Sequence, residues 1–96
     1  MHAIYKFPLA VLEKQTIELP KGARIIRTED VAGHFFLWAI VDTNPDCEKE
    51  TRYLEFYKTG QPIDNPDTLV YIGLCKLFVM MELGLYVFER IHENRI

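Results

Sequence analysis

Cysteine is scarce in this chain. Only Cys47, in a polar stretch, and Cys75, in an apolar one, occur, with no CxxC pair and no clustered histidines around them. That usage argues against a cysteine-rich metal or redox module and fits a reduced, intracellular protein. Positive charge is also short. Eleven Lys and Arg stand against 14 Asp and Glu, for a net charge of -3. The broad basic footprint of a general nucleic-acid binder is missing, and nucleic acid is not expected as a partner. No clean apolar run reaches the roughly 20 residues of a membrane-spanning helix. The nearest, Leu69 to Phe88, is interrupted by Lys76, Glu82 and two glycines, so no membrane partner is expected. No basic and apolar leader opens the chain, and no secretory signal is expected. HExxH, a phosphate loop and a nucleophile elbow are all lacking, which leaves no enzyme, cofactor or metal site in prospect.

What is present suits a packed domain. Hydrophobic residues make up 49% and charged residues 26% of 96 residues, a balance that fits one folded unit over residues 1–96. Trp38, six Phe and five Tyr are many aromatics for a chain of this size. A small domain cannot bury all of them, so self-association is expected.

The periodicity is that of strands. Ala3, Tyr5 and Phe7 alternate with His2, Ile4 and Lys6 in a first strand that Pro8 is expected to end. Leu9 to Glu13 shows no clear period. Gln15 to Leu19 alternates again, and Pro20-Lys21-Gly22 supplies a turn. Ala23 to Arg27 resumes the pattern, Glu29 to Gly33 reads as a connection, and Gly33 can take positive φ. His34 to Asp42 completes a hairpin. In that arm Phe35, Leu37, Ala39 and Val41 share one face and Phe36, Trp38 and Ile40 the other. Apolar residues on both faces indicate a central strand. Thr43 to Asp46 and Cys47 to Glu50 read as loop, Thr51 to Lys58 as strand, and Thr59 to Thr68 as the longest irregular connection.

The C-terminal third is ambiguous. Leu69 to Ile91 combines β-rich pieces with the helix-friendly Met80-Met81-Glu82-Leu83. Strand, turn, strand with Gly84 near the turn is the preferred reading, and a helix from about Lys76 to Glu89 the rival, with Gly84 costing about 1 kcal/mol inside it. His92 to Ile96 reads as a frayed tail. The expected fold is therefore mainly β: a small antiparallel sheet or partly closed barrel of six to seven strands. The alternative is α+β with a C-terminal helix packed on the sheet.

Ile4-Tyr5-Lys6-Phe7-Pro8-Leu9, Gln15 through Ala23 (QTIELPKGA) and Leu37-Trp38-Ala39-Ile40-Val41-Asp42 together resemble a family of small uncharacterised proteins encoded by bacteriophages and prophages. Thr59 to Ile63, Tyr71-Ile72-Gly73 and Val87-Phe88-Glu89 extend the resemblance over nearly the whole chain. It implies a small β-rich fold and a phage origin, and it carries no established activity. Gln61 stands where that pattern usually has a histidine, which weakens the case for acid-base or metal chemistry in this loop. The segment after Gly73 is longer and more apolar than in the pattern.

The candidate binding patch is Arg52, Tyr53, Tyr57 and Lys58, continuing into Gly60, Gln61, Pro62 and Ile63. Tyrosines and cations there suit a peptide or a nucleotide, and cross-strand packing explains the same residues more plainly. Met80, Met81, Leu83 and Leu85 form a candidate self-association patch, with core packing as its equal. His2, His34 and His92 lack metal spacing. Asp42, Asp46, Asp64 and Asp67 fit turns better than a cation site, and Cys75 fits an inert core position better than a nucleophile. Three functions follow. The favoured one is a non-enzymatic phage accessory protein in the cytoplasm of the infected bacterium that binds, and inhibits, a host defence or metabolic protein. The others are a protein that sequesters a small ligand, such as a nucleotide, through converging positive groups such as Arg52, Lys58 or Arg90, and an oligomeric structural subunit of the virion.

Overall fold

The computed structural model describes residues 1–92. It contains seven strands: β1 (His2–Leu9), β2 (Lys14–Pro20), β3 (Arg24–Val31), β4 (His34–Asp42), β5 (Lys49–Tyr57), β6 (Leu69–Val79) and β7 (Met81–Arg90). They form two antiparallel sheets that do not close into a barrel, one of order β1-β4-β3 and one of order β2-β5-β7-β6. The mainly β expectation holds, and no α-helix occurs among the described residues.

The sheets lie face to face over a shared core, for which the alternation in β4 is the clearest cause. Phe35, Leu37, Ala39 and Val41 are all buried and meet Leu19, Leu54, Phe56, Cys75 and Val87 of the second sheet. The rings of Phe35 and Phe56 stack across the interface at 5.8 Å. β4 is central to its sheet, pairing with β1 on one side and β3 on the other. Pro8 lies inside β1 rather than ending it, because β1 is an edge strand and a missing N–H is tolerated there.

The β3–β4 connection is shorter than the sequence suggested. β3 runs on to Val31, and only Ala32 and Gly33 form the turn, with φ of 53° and 84°. Two successive positive φ values match the twist that tight hairpins require. The turn after β2 does different work: Gly22, at φ 81°, carries the chain from one sheet to the other.

Residues 76–89 form strands, not a helix, which settles the alternative α+β reading against the helix. The β6–β7 hairpin turns at Met80, so Gly84 sits within β7 opposite Lys76 rather than near the turn. Alternation explains the outcome: Cys75, Leu77, Leu85 and Val87 all face or adjoin the core, a row that a helix would scatter around its axis. On one flank the sheets touch through β3 and β6. The Lys76 amide donates to Asp30 Oδ1 at 2.7 Å, and Gly73 lies against Thr28. Of the expected C-terminal tail, residues 93–96 lie outside the described residues, and the His92 ring meets Tyr53 edge-on at 4.2 Å.

Candidate functional site

The residues of the sequence-derived patch do not form one surface. Arg52 points toward the space between the sheets, where its guanidinium donates to both Glu89 carboxylate oxygens and to the Ala23 carbonyl, the latter at 2.8 Å. Tyr57 is buried on the opposite face, its hydroxyl donating to Glu55 and its ring edge-on to Phe88 at 6.0 Å. Tyr53 remains half-exposed beside His92. Lys58 and Gln61 lie at the end of the sandwich, with the Lys58 amide donating to Gln61 Oε1 at 3.0 Å. Gly60 takes φ 87° in the turn, while Pro62 and Ile63 are exposed in the loop.

Arg90 links that loop to the sheet. Its guanidinium donates to Glu55 at 2.8 and 2.9 Å, to the Asp64 carbonyl at 2.9 Å and to Thr68 Oγ1 at 2.7 Å. The 59–68 loop is thus tied onto the outer face of β5 and β7. These bonds hold the Glu55 carboxyl below its ordinary range against the opposing effect of burial, and the Tyr57 hydroxyl adds to them. Arg52 and Arg90 line one open groove, each already bonded to a carboxylate, while Lys58 stands apart at the end of the sandwich, so the three cations do not gather at one point.

The aromatic surface that does form lies on the other sheet. On the outer face of β1, β4 and β3, cross-strand pairing aligns Lys6 with Trp38 and Trp38 with Arg27, while Phe36 faces Glu29 and Ile40 faces Ile4 and Arg24. Phe36, Trp38 and Ile40 are only half-buried. No second layer of the chain covers them among the described residues; the Lys6 ammonium lies 4.1 Å from the Phe36 ring centre and the Arg27 guanidinium 5.1 Å from that of Trp38. The sequence signal for this face was in view, since both sides of β4 are apolar, but it reads equally as a strand buried on both sides.

A second feature is the open end of the sandwich. There Val11, Leu12 and Glu13 of the β1–β2 loop, Phe35 and Phe56 of the core, Lys58, Gln61 and Leu77, Leu83 and Leu85 of the terminal hairpin enclose a cavity of about 190 Å³. Beyond it the hairpin continues as an arm. Phe78, Val79 and Met81 expose 67%, 63% and 73% of their surface, and Met80 at the tip is fully exposed. Of the candidate self-association residues, Met80 and Met81 are therefore on the tip, and Leu83 and Leu85 on the cavity wall.

The remaining candidates are dispersed. Among the described residues no three His, Cys, Asp or Glu side chains gather as a metal site. Asp42 accepts from the Asn44 amide at 2.9 Å, an ordinary turn role. Cys75 is fully buried, and burial pushes its thiol up to about 11.

These features define a small two-sheet β domain with an uncovered aromatic face and a projecting apolar arm. The chain belongs to the family described as a domain of unknown function (DUF7352), whose model matches residues 1–96. No curated protein and no solved structure matches the chain.

Proposed function

We propose that this domain is a non-enzymatic binding protein that docks a partner protein on the outer face of β1, β4 and β3. The observation that carries the reading is that Phe36, Trp38 and Ile40 line this face with no covering layer beyond the Lys6 and Arg27 side chains. Such aromatics, with Arg27 and Lys6 able to swing aside, are the side chains from which binding hot spots are built. Lys6, Arg24 and Arg27 surround the rings, and Glu29 is already paired with Arg27. The complementary partner is therefore a protein surface with an apolar or aromatic centre and a rim of carboxylates.

The resemblance of the Ile4–Leu9, Gln15–Ala23 and Leu37–Asp42 motifs to phage and prophage proteins supports placing this binding in the cytoplasm of an infected bacterium. The partner is then a host defence or metabolic component, inhibited by occupation of its surface. The test is crosslinking in host cells followed by identification of the captured protein, with wild type beside Trp38→Ala and the double reversal Lys6→Glu/Arg27→Glu. Loss of one specific acidic partner from both variants, with circular dichroism unchanged, is the expected result. Retention of that partner by both variants overturns the assignment of this face.

A further inference from the structure

The terminal hairpin carries a feature that docking on the other sheet does not use. Strand alternation places Cys75, Leu77 and Val79 of β6 and Met81, Leu83 and Leu85 of β7 in one row, because Cys75 pairs with Leu85, Leu77 with Leu83 and Val79 with Met81. At the base of the arm this row is core: Cys75 is buried, and Leu77 and Leu85 pack on the cluster. At the tip the same row is bare, with Val79 and Met81 exposed by 63% and 73%. The core-facing surface thus continues past the point where the opposing sheet stops. Met80 adds a second departure from what an isolated hairpin favours. It is fully exposed and held at φ 69°, a left-handed conformation in which glycine or asparagine is the less strained choice.

We infer that the arm of one copy seats its tip in the cavity at the base of the arm of a second copy, in a reciprocal, two-fold clasp. The occupant is argued from fit and charge. A projecting apolar tip needs a concave apolar receptor, and the chain carries one, lined by Val11, Leu12, Phe35, Phe56, Leu77, Leu83 and Leu85, of about 190 Å³. An apolar protein cavity of roughly 150 Å³ accepts a benzene-sized guest, so a methionine side chain fits in this one. Methionine is also the apolar side chain that adapts best to an irregular hole. Knob and hole on one surface are what an isologous interface uses: each copy gives its tip and receives the other's, and the contact closes at two.

Charge agrees. The cavity rim carries one acid, Glu13, and one base, Lys58, so self-pairing sets no single-sign field against itself. An anionic membrane is a poor alternative occupant: Lys76 is the arm's sole cation and is already paired with Glu82 at 3.3 Å. β6 is also hydrogen-bonded to β7 alone beyond Lys76 among the described residues, which leaves its other edge open to a partner strand.

The test uses the full chain. Sedimentation of the wild type should give a dimer, and Met80→Asp/Met81→Asp should give a monomer whose thermal midpoint matches that of the wild type diluted until it is monomeric, since neither exposed side chain belongs to its own core and the dimer's additional stability comes from association. In a Cys47→Ser background, Leu12→Cys/Met80→Cys should form an intermolecular disulfide that peptide mass spectrometry assigns to positions 12 and 80. A wild-type monomer at all concentrations tested overturns the clasp. So does a dimer that survives the double Asp substitution, or a crosslink that joins 80 to 80 instead. None of these readouts depends on the partner docked at Trp38, so either assignment can fail alone.

Discussion

Arg90 and Glu55 meet side by side on the outer face of β5 and β7, two hydrogen bonds at 2.8 and 2.9 Å joining a guanidinium and a carboxylate that stand 35 residues apart in the chain. One face over, Arg52 and Glu89 form the mirror arrangement, so the two strands exchange a cation and an anion on each side of the sheet. Both pairs are largely shielded from water, and Arg90 additionally holds the 59–68 loop. Arg90→Met should therefore lower stability by about 2–3 kcal/mol, between the values for exposed and fully buried pairs, because Glu55 is left without its cation. Trypsin should then cleave after Lys58 in the native state. Arg90→Met/Glu55→Met should recover most of the loss, since the burial penalty disappears with the charge. Denaturant unfolding of the wild type, Arg90→Met, Glu55→Met and the double variant measures the coupling, and additive losses would mean that the pair contributes nothing as a pair.

The same pair sets a pH dependence. Hydrogen bonds from Arg90 lower the Glu55 carboxyl in the folded state from its ordinary 4.5. The stabilisation is complete above that ordinary value and is lost as pH falls through the folded one. Tyr57 is shifted up from 10.0, first by burial and then by its bond to Glu55, so its contribution is present below 10.0 and fades as pH rises through the folded value. Stability measured against pH should thus fall at both ends. Glu55→Gln should flatten the acid limb, and Tyr57→Phe the alkaline one; an unchanged acid limb in Glu55→Gln would assign acid sensitivity to other carboxylates.

Much of the fold was legible in the sequence where a strong period met a strong turn. His34 to Asp42 holds an unbroken apolar run from Phe35 to Val41 of strand length and β-rich composition, and Gly33 marks its start, so the β3–β4 hairpin could be read directly. The C-terminal hairpin was less plain because its turn residue is Met80, which carries no turn signal, while the available glycine, Gly84, sits in mid-strand. The site was legible only in part. Apolar residues on both faces of β4 mark a strand with two apolar surroundings, but whether a layer of the same chain covers the second face depends on where β2, β5, β6 and β7 go. Tyr57 and Arg52 looked available because their partners, Glu55 with the loop and Glu89, are fixed by tertiary pairing rather than by spacing.

Gly73 shows a second long-range constraint. A Cβ at this position would stand 2.2 Å from Thr28 Oγ1 and 2.8 Å from the Thr28 backbone nitrogen, at a φ of 153°. The hydroxyl can rotate away, but the backbone cannot without opening the contact between β3 and β6. Gly73→Ala should cost about 2–3 kcal/mol through overpacking. Gly33→Ala, with open space around it and only a positive φ of 84° to disfavour it, should cost about 1 kcal/mol. Thr28→Ala should rescue Gly73→Ala only in part, because the clash with backbone remains. Urea midpoints of these variants give the comparison, and equal losses at the two glycines would show that conformation rather than contact decides both.

The two cysteines should react very differently. Cys75 is fully buried with its thiol pushed up to about 11, whereas Cys47 is part-exposed on a surface loop. The thiolate is the reactive species, so iodoacetamide at neutral pH should label Cys47 in the native protein and Cys75 only after unfolding. Fast native labelling at Cys75 would mean that β6 separates from β3 far more often than a packed flank allows.

Met80 tests whether the arm tip is built for stability or for contact. Its φ of 69° disfavours a side chain by about 1 kcal/mol, and glycine in its place gives back a similar amount through its greater freedom in the unfolded chain. Met80→Gly should therefore leave the stability of an isolated copy within roughly 0.5 kcal/mol of the wild type. Because the side chain is fully exposed, its removal deletes no contact within its own chain. What it deletes is the knob, so association between copies should weaken although the fold does not. Dilution series by sedimentation, run beside thermal unfolding at the lowest concentration, separate the two effects. A fall in monomer stability with association intact would place Met80 in the packing of its own hairpin and not in the clasp.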